Sequence, residues 1–70
     1  MLDEVLFMEA RLFRMFWQQH GLSPRQALEF FETYNVWGFI ESCYDSLHTS
    51  SDICALSDID QLLASQGVAL

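Results

Sequence analysis

Apolar positions recur at helical spacing along the chain, and no segment shows the alternation that a half-buried strand requires. Residues 2–19 contain neither Gly nor Pro and are rich in Leu, Met, Phe and Arg, which favours a first helix of about five turns that ends at Gly21. Apolar side chains cover an arc of roughly 220° on this helix, about twice what an ordinary surface helix buries. The side chains expected to cover the core are those of Leu2, Val5, Leu6, Leu12, Phe13, Phe16 and Trp17.

The other apolar residues of the first helix lie outside a single core-facing stripe. Met8 and Met15 flank the apolar arc, and Phe7 lies among polar residues. Either the other helices of a small bundle wrap most of this surface, or a second protein chain covers part of it. Phe7, Met8 and Met15 are therefore candidate partner-binding residues.

The second helix has the clearest local signal in the sequence. In the run Ser23-Pro24-Arg25-Gln26, Ser occupies the N-cap, Pro the first helical position and Gln the third, which predicts a capping box. Asn35 follows the helix as a residue that tolerates the left-handed backbone conformation of a helix end. The helix presents its apolar residues on one side, namely Ala27, Phe30, Phe31 and Tyr34.

Two further helices are predicted in the second half of the chain. A short final helix is expected from Asp58 to about Ser65, with Ser57 as its N-cap and Gly67 beyond its end. Residues 51–56 fit either a helical turn or an extended packing segment. A third helix fits residues 36–47, where the apolar positions at helical spacing are Trp37, Ile40, Tyr44 and Leu47.

These elements predict an all-α fold, a small bundle of three longer helices plus a short C-terminal helix. The chain has 70 residues, of which 51% are hydrophobic, and this size fits one helical domain over residues 1–70. Cys43 and Cys54 are most simply read as reduced thiols.

Charge is distributed unevenly between the two parts of the chain. There is no lysine, the three arginines lie within the first 25 residues, and the net charge is −7. Because a negative surface repels phosphates and anionic lipids, we expect no binding to nucleic acid or to a membrane surface. A basic protein partner fits this charge. The acidic N-terminus and the absence of a long apolar run favour a cytoplasmic location.

Glu9 is a carboxylate in the middle of the apolar stripe of the first helix. Its neighbours three and four residues away are Val5, Leu6, Leu12 and Phe13. Burying an unpaired carboxylate is costly. Glu9 should therefore accept a hydrogen bond, remain in contact with water at an interface, or become neutral. The predicted role is a structural anchor, with a partner-specific or catalytic carboxylate as the alternative, and its candidate donors are Tyr34, Tyr44, His48 and the Trp indoles.

Other reactive residues do not form a recognisable site. Cys43 and His48 point about 140° apart on a continuous helix, which separates a nucleophile from its base. Structural zinc sites need closer Cys or His pairs than Cys43, His48 and Cys54 provide. We therefore assign no catalytic, cofactor or metal residue, and we expect the protein not to be an enzyme.

The run Tyr44-Asp45-Ser46-Leu47-His48-Thr49, followed by Asp58-Ile59-Asp60 and Leu62-Leu63, resembles the signature of a family of short acidic bacterial proteins, domain of unknown function three-seven-nine-one. Asn35 departs from the more usual Gly of that family. The resemblance implies a gene of a kind often found beside a gene for an ADP-ribosyltransferase-like toxin, and hence an antitoxin or accessory role. The polar residues predicted to form a structural motif are Glu9, Tyr44, Asp45, His48, Thr49, Asp58 and Asp60.

The function that fits these patterns is a protein-interaction module that binds a basic partner. The first helix would provide contact area, and the acids of the later helices would steer association. The acids expected to face the partner are Glu29, Glu32 and Glu41. The alternative is a structural homodimer that pairs through the first helix, with Glu9 near the dimer interface.

Overall fold

The computed structural model describes residues 3–69, which form helices joined by short turns and contain no strand. The predicted all-α bundle is confirmed. Leu2, which was expected in the core, lies outside the described residues. The five helices are α1 (Asp3–Gln19), α2 (Pro24–Thr33), α3 (Val36–Ser42), α4 (Tyr44–Leu47) and α5 (Asp52–Ser65).

The turn between α1 and α2 follows the local sequence signals. Gly21 has a φ of 64°, which glycine adopts at little cost. The Ser23 hydroxyl accepts a hydrogen bond from the Gln26 N–H at 3.1 Å, and the Gln26 side chain accepts one from the Ser23 N–H at 2.9 Å. The predicted capping box is therefore confirmed, and it fixes the start of α2.

Two residues, Tyr34 and Asn35, join α2 to α3. The Asn35 φ of 51° and ψ of 46° are left-handed, as predicted for the end of α2. The Asn35 side chain also caps α3, because its Oδ1 accepts a hydrogen bond from the Gly38 N–H at 3.3 Å. A Cβ atom at position 38 would clash with this amide, so Gly38 leaves room for the cap.

The core lies where α1, α2, α3 and α5 meet. Phe31 of α2 is fully buried at its centre, with ring centroids 5.2 Å from Phe13, 5.2 Å from Phe16 and 4.8 Å from Trp37. Aromatic pairs at these separations add to the free energy gained by burial. The largest fully buried side chains are Phe16, Phe31, Leu12, Ile40, Ile59, Leu63 and Val36.

Two residues of α1 exchange their predicted roles. Leu6, expected in the core, is 59% exposed, whereas Met8, expected at a partner interface, is only 5% exposed and belongs to the core. The apolar arc of α1 is wider than the core needs, so sequence spacing alone does not select which edge of the arc is buried. Met15, the third candidate, is partly buried against the core.

The predicted third helix is interrupted at Cys43. The Cys43 backbone has a φ of −104° and a ψ of 13°, which divides residues 36–47 into α3 and the single turn α4. Leu47 is still buried. Because one irregular residue leaves the spacing of the apolar positions almost unchanged, the pattern could not reveal this break.

The last helix begins six residues earlier than predicted and has 14 residues, so it is not short. Its N-cap is Ser51, whose hydroxyl accepts a hydrogen bond from the Cys54 N–H at 3.2 Å. The predicted cap, Ser57, lies inside the helix together with Asp58. A Ser-Asp pair occurs at both places, and the earlier pair is used because it lets Ala55 and Leu56 enter the core.

The two serines provide a direct test of this helix start. Ser51→Ala should lower the free energy of unfolding by about 1 kcal/mol because the first turn of α5 loses its cap. The matched change Ser57→Ala should be neutral or stabilising by a few tenths of a kcal/mol, because alanine is the better residue inside a helix. Urea unfolding followed by circular dichroism measures both. The opposite order would place the start of the helix at Ser57.

Candidate functional site

A groove of about 490 Å³ runs between α1 and α3, and we call it the α1–α3 groove. It forms because residues 6, 9, 10 and 13 share one face of α1, while residues 37 and 41 lie one turn apart on α3. Its walls are mostly apolar. The groove is lined by Leu6, Glu9, Ala10, Phe13, Trp37 and Glu41.

The aromatic walls of the groove are held in place by the core. The Trp37 ring packs against Phe13 with ring centroids 5.4 Å apart, and both rings contact the buried Phe31. Close packing limits the rotamers that these two side chains can adopt. The α1–α3 groove is therefore a preformed surface.

Glu9 and Glu41 place two carboxyl groups at this apolar groove. Glu9 is 9% exposed, whereas Glu41 is exposed. Burial raises the pKa of the Glu9 carboxyl above its ordinary value of 4.5, and the hydrogen bond to Glu41 and the negative charge of Glu41 raise this pKa further. A protonated Glu9 can donate to Glu41, whereas two ionised carboxylates repel each other.

This arrangement differs from the structural anchor predicted for Glu9. Across residues 3–69, no tyrosine, histidine or indole donates a hydrogen bond to Glu9, and its polar neighbour is a second acid. Two of the expected donors, Tyr44 and His48, instead stack their rings on each other with centroids 4.9 Å apart. The carboxyl pair joins residues 32 positions apart in the sequence, so no local pattern pointed to it.

The raised pKa of Glu9 predicts a dependence of stability on pH. Because the folded state binds this proton more tightly, the stabilising contribution is complete below pH 4.5 and is lost as the pH rises through the raised pKa. Glu9→Gln should therefore stabilise the protein at pH 7 by at least a few tenths of a kcal/mol, as expected when a like-charged pair is removed.

The measurement is urea unfolding of the wild type and Glu9→Gln at pH 7 and about pH 4, where the gain should disappear. Glu32→Gln makes the same chemical change at an exposed position of α2 and is the matched control. A gain of equal size at both pH values would show that the effect does not come from ionisation of Glu9.

An exposed apolar surface lies at the N-terminal half of α1. Leu6 is 59% exposed and Phe7 is 66% exposed, and we call this pair the α1 apolar surface. Leu6 lines the α1–α3 groove, whereas Phe7 lines a smaller groove of about 260 Å³ that also includes Arg11, Tyr44 and His48. The candidate Phe7 is thus accessible, while Met8 is not.

The three candidate acids lie in different places. Glu41 lines the α1–α3 groove, but Glu29 lines a separate groove formed mainly by α2, with Leu22, Phe30 and Tyr34. Glu32 is exposed on α2. Of these three acids, the fold therefore brings only Glu41 to the α1–α3 groove, beside Leu6.

The polar residues predicted to form a motif in the second half of the chain lie at three separate places. The Thr49 hydroxyl donates to the Ser46 carbonyl at 2.9 Å beside the stacked Tyr44 and His48, and Asp45 is exposed in the same turn. Asp60 instead contacts the His20 Nε2 at 2.9 Å and thereby joins α5 to α1.

The other two acids of α5, Asp52 and Asp58, lie at different surfaces of the protein. Asp58 lines a fourth groove, of about 420 Å³, with Phe39, Cys43 and Leu62. The guanidinium of Arg11 donates two hydrogen bonds to Asp52, both at 3.1 Å, which adds a second link between α1 and α5.

The described residues contain neither a metal-binding cluster nor a membrane-spanning helix. Within residues 3–69, no group of three or more His, Cys, Asp or Glu side chains is placed to hold a metal ion. In the same part of the chain, no helix combines the length and apolarity needed to cross a bilayer.

Comparison with known proteins gives one family match. A family model described as "Protein of unknown function (DUF3791)" matches residues 9–66. That range includes most of α1 and all of α2 to α5. No curated protein and no solved structure matches the chain.

Proposed function

Because the chain belongs to the DUF3791 family, we propose that it is a protein-interaction module, without enzymatic activity, that binds a basic protein partner in the cytoplasm. The binding surface would consist of the α1 apolar surface and the adjoining α1–α3 groove. In its most specific form, the partner is an ADP-ribosyltransferase-like toxin encoded beside the gene, and the chain acts as its antitoxin or accessory protein.

The exposure of Leu6 and Phe7 is the observation that carries the proposal. Two large apolar side chains at consecutive positions are more than half exposed, and Leu6 lines the preformed groove with aromatic walls. Apolar and aromatic side chains near a preformed pocket supply much of the binding energy at protein interfaces. Covering this surface with a partner would remove it from water.

The charge distribution supports a basic partner. The chain after Arg25 contains acids but no Lys or Arg, and the net charge of the whole chain is −7. Such a field accelerates encounter with a basic protein and disfavours phosphate backbones and anionic lipids. Arg11, the cation near the α1 apolar surface, is engaged with Asp52.

The test is a binding titration of the purified chain with the purified ADP-ribosyltransferase-like protein. The double change Leu6→Ala and Phe7→Ala should weaken binding by about 30-fold or more, as expected when central apolar contacts are lost. The control is Leu28→Ala with Ile53→Ala, which removes two other exposed apolar side chains. The control should change affinity by less than about threefold.

Salt dependence tests the electrostatic part of the proposal. Association should slow as the salt concentration rises, because screening weakens long-range attraction to the acidic surface. Equal losses in the two double variants would contradict the α1 apolar surface as the binding site. A rate that does not change with salt would contradict steering by charge.

Self-association through α1 is the competing function, and the exposure of Leu6 and Phe7 supports it as well. Light scattering on the purified chain separates the two. The interaction-module proposal expects a monomer that forms a heteromeric complex. A stable dimer, dispersed by Leu6→Ala with Phe7→Ala and indifferent to the basic protein, would favour the structural homodimer.

A further inference from the structure

We propose that the α1–α3 groove is a receptor for an arginine side chain of the partner protein, with the guanidinium bound between Glu9 and Glu41. This inference rests on the proposed function and specifies which chemical group the partner inserts. It is carried by the composition of the groove, which places two acids among apolar and aromatic walls.

The pair formed by Glu9 and Glu41 should attract a cation. When both carboxyl groups are ionised, neither can donate a hydrogen bond to the other. Glu9 is 9% exposed, and in residues 3–69 no N–H group or cation donates to it or to Glu41. A bound cation would supply hydrogen bonds and offset the repulsion between the two carboxylates. The chain does not fill this place with Arg11, which is bonded to Asp52.

The aromatic and apolar walls of the α1–α3 groove favour binding of an arginine side chain over a lysine side chain. A guanidinium is planar, so it can stack on the Trp37 indole while its several N–H groups reach two carboxylates. An ammonium group is a compact charge that holds more tightly to water. The aliphatic stem of arginine would pack against Leu6, Ala10 and Phe13, which form the apolar part of the groove.

A partner protein fits better than a second copy of this chain. Two copies would each bring a net charge of −7, and this repulsion opposes their approach. A basic partner brings the opposite charge together with the arginine. Self-association is therefore the outcome that would count against this assignment.

The direct test is an NMR titration of the full chain with N-acetyl-arginine amide. The Trp37 indole N–H signal should shift and saturate with a dissociation constant on the order of 10 mM, a value reasonable for one side chain. The Trp17 indole does not line the groove and is the internal control. N-acetyl-citrulline amide has nearly the same shape without the charge, and it should cause no saturable shift.

Variants of the two acids complete the test. Glu41→Gln and Glu9→Gln should each weaken binding of the arginine amide by about fivefold or more, whereas Glu29→Gln and Glu32→Gln should leave it unchanged. N-acetyl-lysine amide should bind several-fold more weakly than the arginine amide. Glu41 is exposed, so its variant tests the groove without changing the core.

Three results of the amide titrations would overturn the inference. They are equal shifts with arginine and citrulline amides, equal affinity for the arginine and lysine amides, and no saturable Trp37 shift up to about 50 mM. Self-association that Glu9→Gln and Glu41→Gln abolish would also contradict it, because a second copy would then occupy the groove. If partner binding still depends on Leu6 and Phe7, the proposed function stands while the arginine site fails.

Discussion

Replacing Phe31 with alanine is expected to lower the free energy of unfolding by about 3–5 kcal/mol, the cost of emptying a packed aromatic site. Phe31 is fully buried and contacts the rings of Phe13, Phe16 and Trp37, so the cavity would open where α1, α2 and α3 meet. A domain of this size has a stability of only about 4–10 kcal/mol. The variant should therefore lose most of its stability.

Urea unfolding followed by Trp fluorescence and circular dichroism measures this loss. Phe7→Ala makes the same chemical change at a side chain that is 66% exposed, and it should cost less than about 0.5 kcal/mol. Phe31→Leu is the milder variant if Phe31→Ala does not fold, and it should cost about 1–2 kcal/mol. Similar losses for Phe31→Ala and Phe7→Ala would contradict the position of the core.

Asn35→Ala is expected to be the next most damaging change, with a loss of about 2 kcal/mol. Part of the loss comes from holding alanine in a left-handed conformation, which costs about 1–2 kcal/mol. The rest comes from the lost cap on the Gly38 N–H, which contributes about 1 kcal/mol. Thermal unfolding should show a midpoint lower by roughly 10 °C, given the small size of the domain.

Asn35→Gly separates the two contributions. Glycine adopts a positive φ without strain and is itself tolerated at an N-cap, so the cost should be only a few tenths of a kcal/mol. An equal loss for the alanine and glycine variants would show that the side-chain cap, and not the left-handed backbone, determines the contribution of Asn35.

Local signals explain why much of the fold could be predicted from the sequence. The capping box at Ser23 and the left-handed Asn35 each depend on a few consecutive residues, and both were predicted correctly. Gly21 and Gly67 likewise follow helix ends with positive φ angles. A capping or turn residue acts on backbone groups within about one helical turn, so its effect is visible in the sequence.

The wrong predictions share a different cause, because they depend on packing between distant segments. Ser51 and Ser57 are equally good caps locally, and the burial of Ala55 and Leu56 decides between them. Leu6 and Met8 lie at different positions of one wide apolar arc, and the placement of the other helices determines which of them is buried. Neither choice can be made from residue type alone.

The candidate site was predicted only in part. Glu9 was recognised as an unusual carboxylate because its helical neighbours are apolar, but its partner Glu41 was assigned to a separate acidic surface. The packing of α3 on α1 brings the two acids together. Phe7 was a candidate partner-binding residue and is 66% exposed, whereas Met8 is only 5% exposed and packs in the core.

The links between α1 and α5 bear on the order in which the chain folds during synthesis. Arg11 with Asp52 and His20 with Asp60 each join residues about 40 positions apart, so α1 cannot make these contacts until α5 has left the ribosome. The residues that line the α1–α3 groove all lie between positions 6 and 41. We therefore expect the partner-facing surface to emerge before the segment that completes the core, which would allow a nascent chain to meet its partner early.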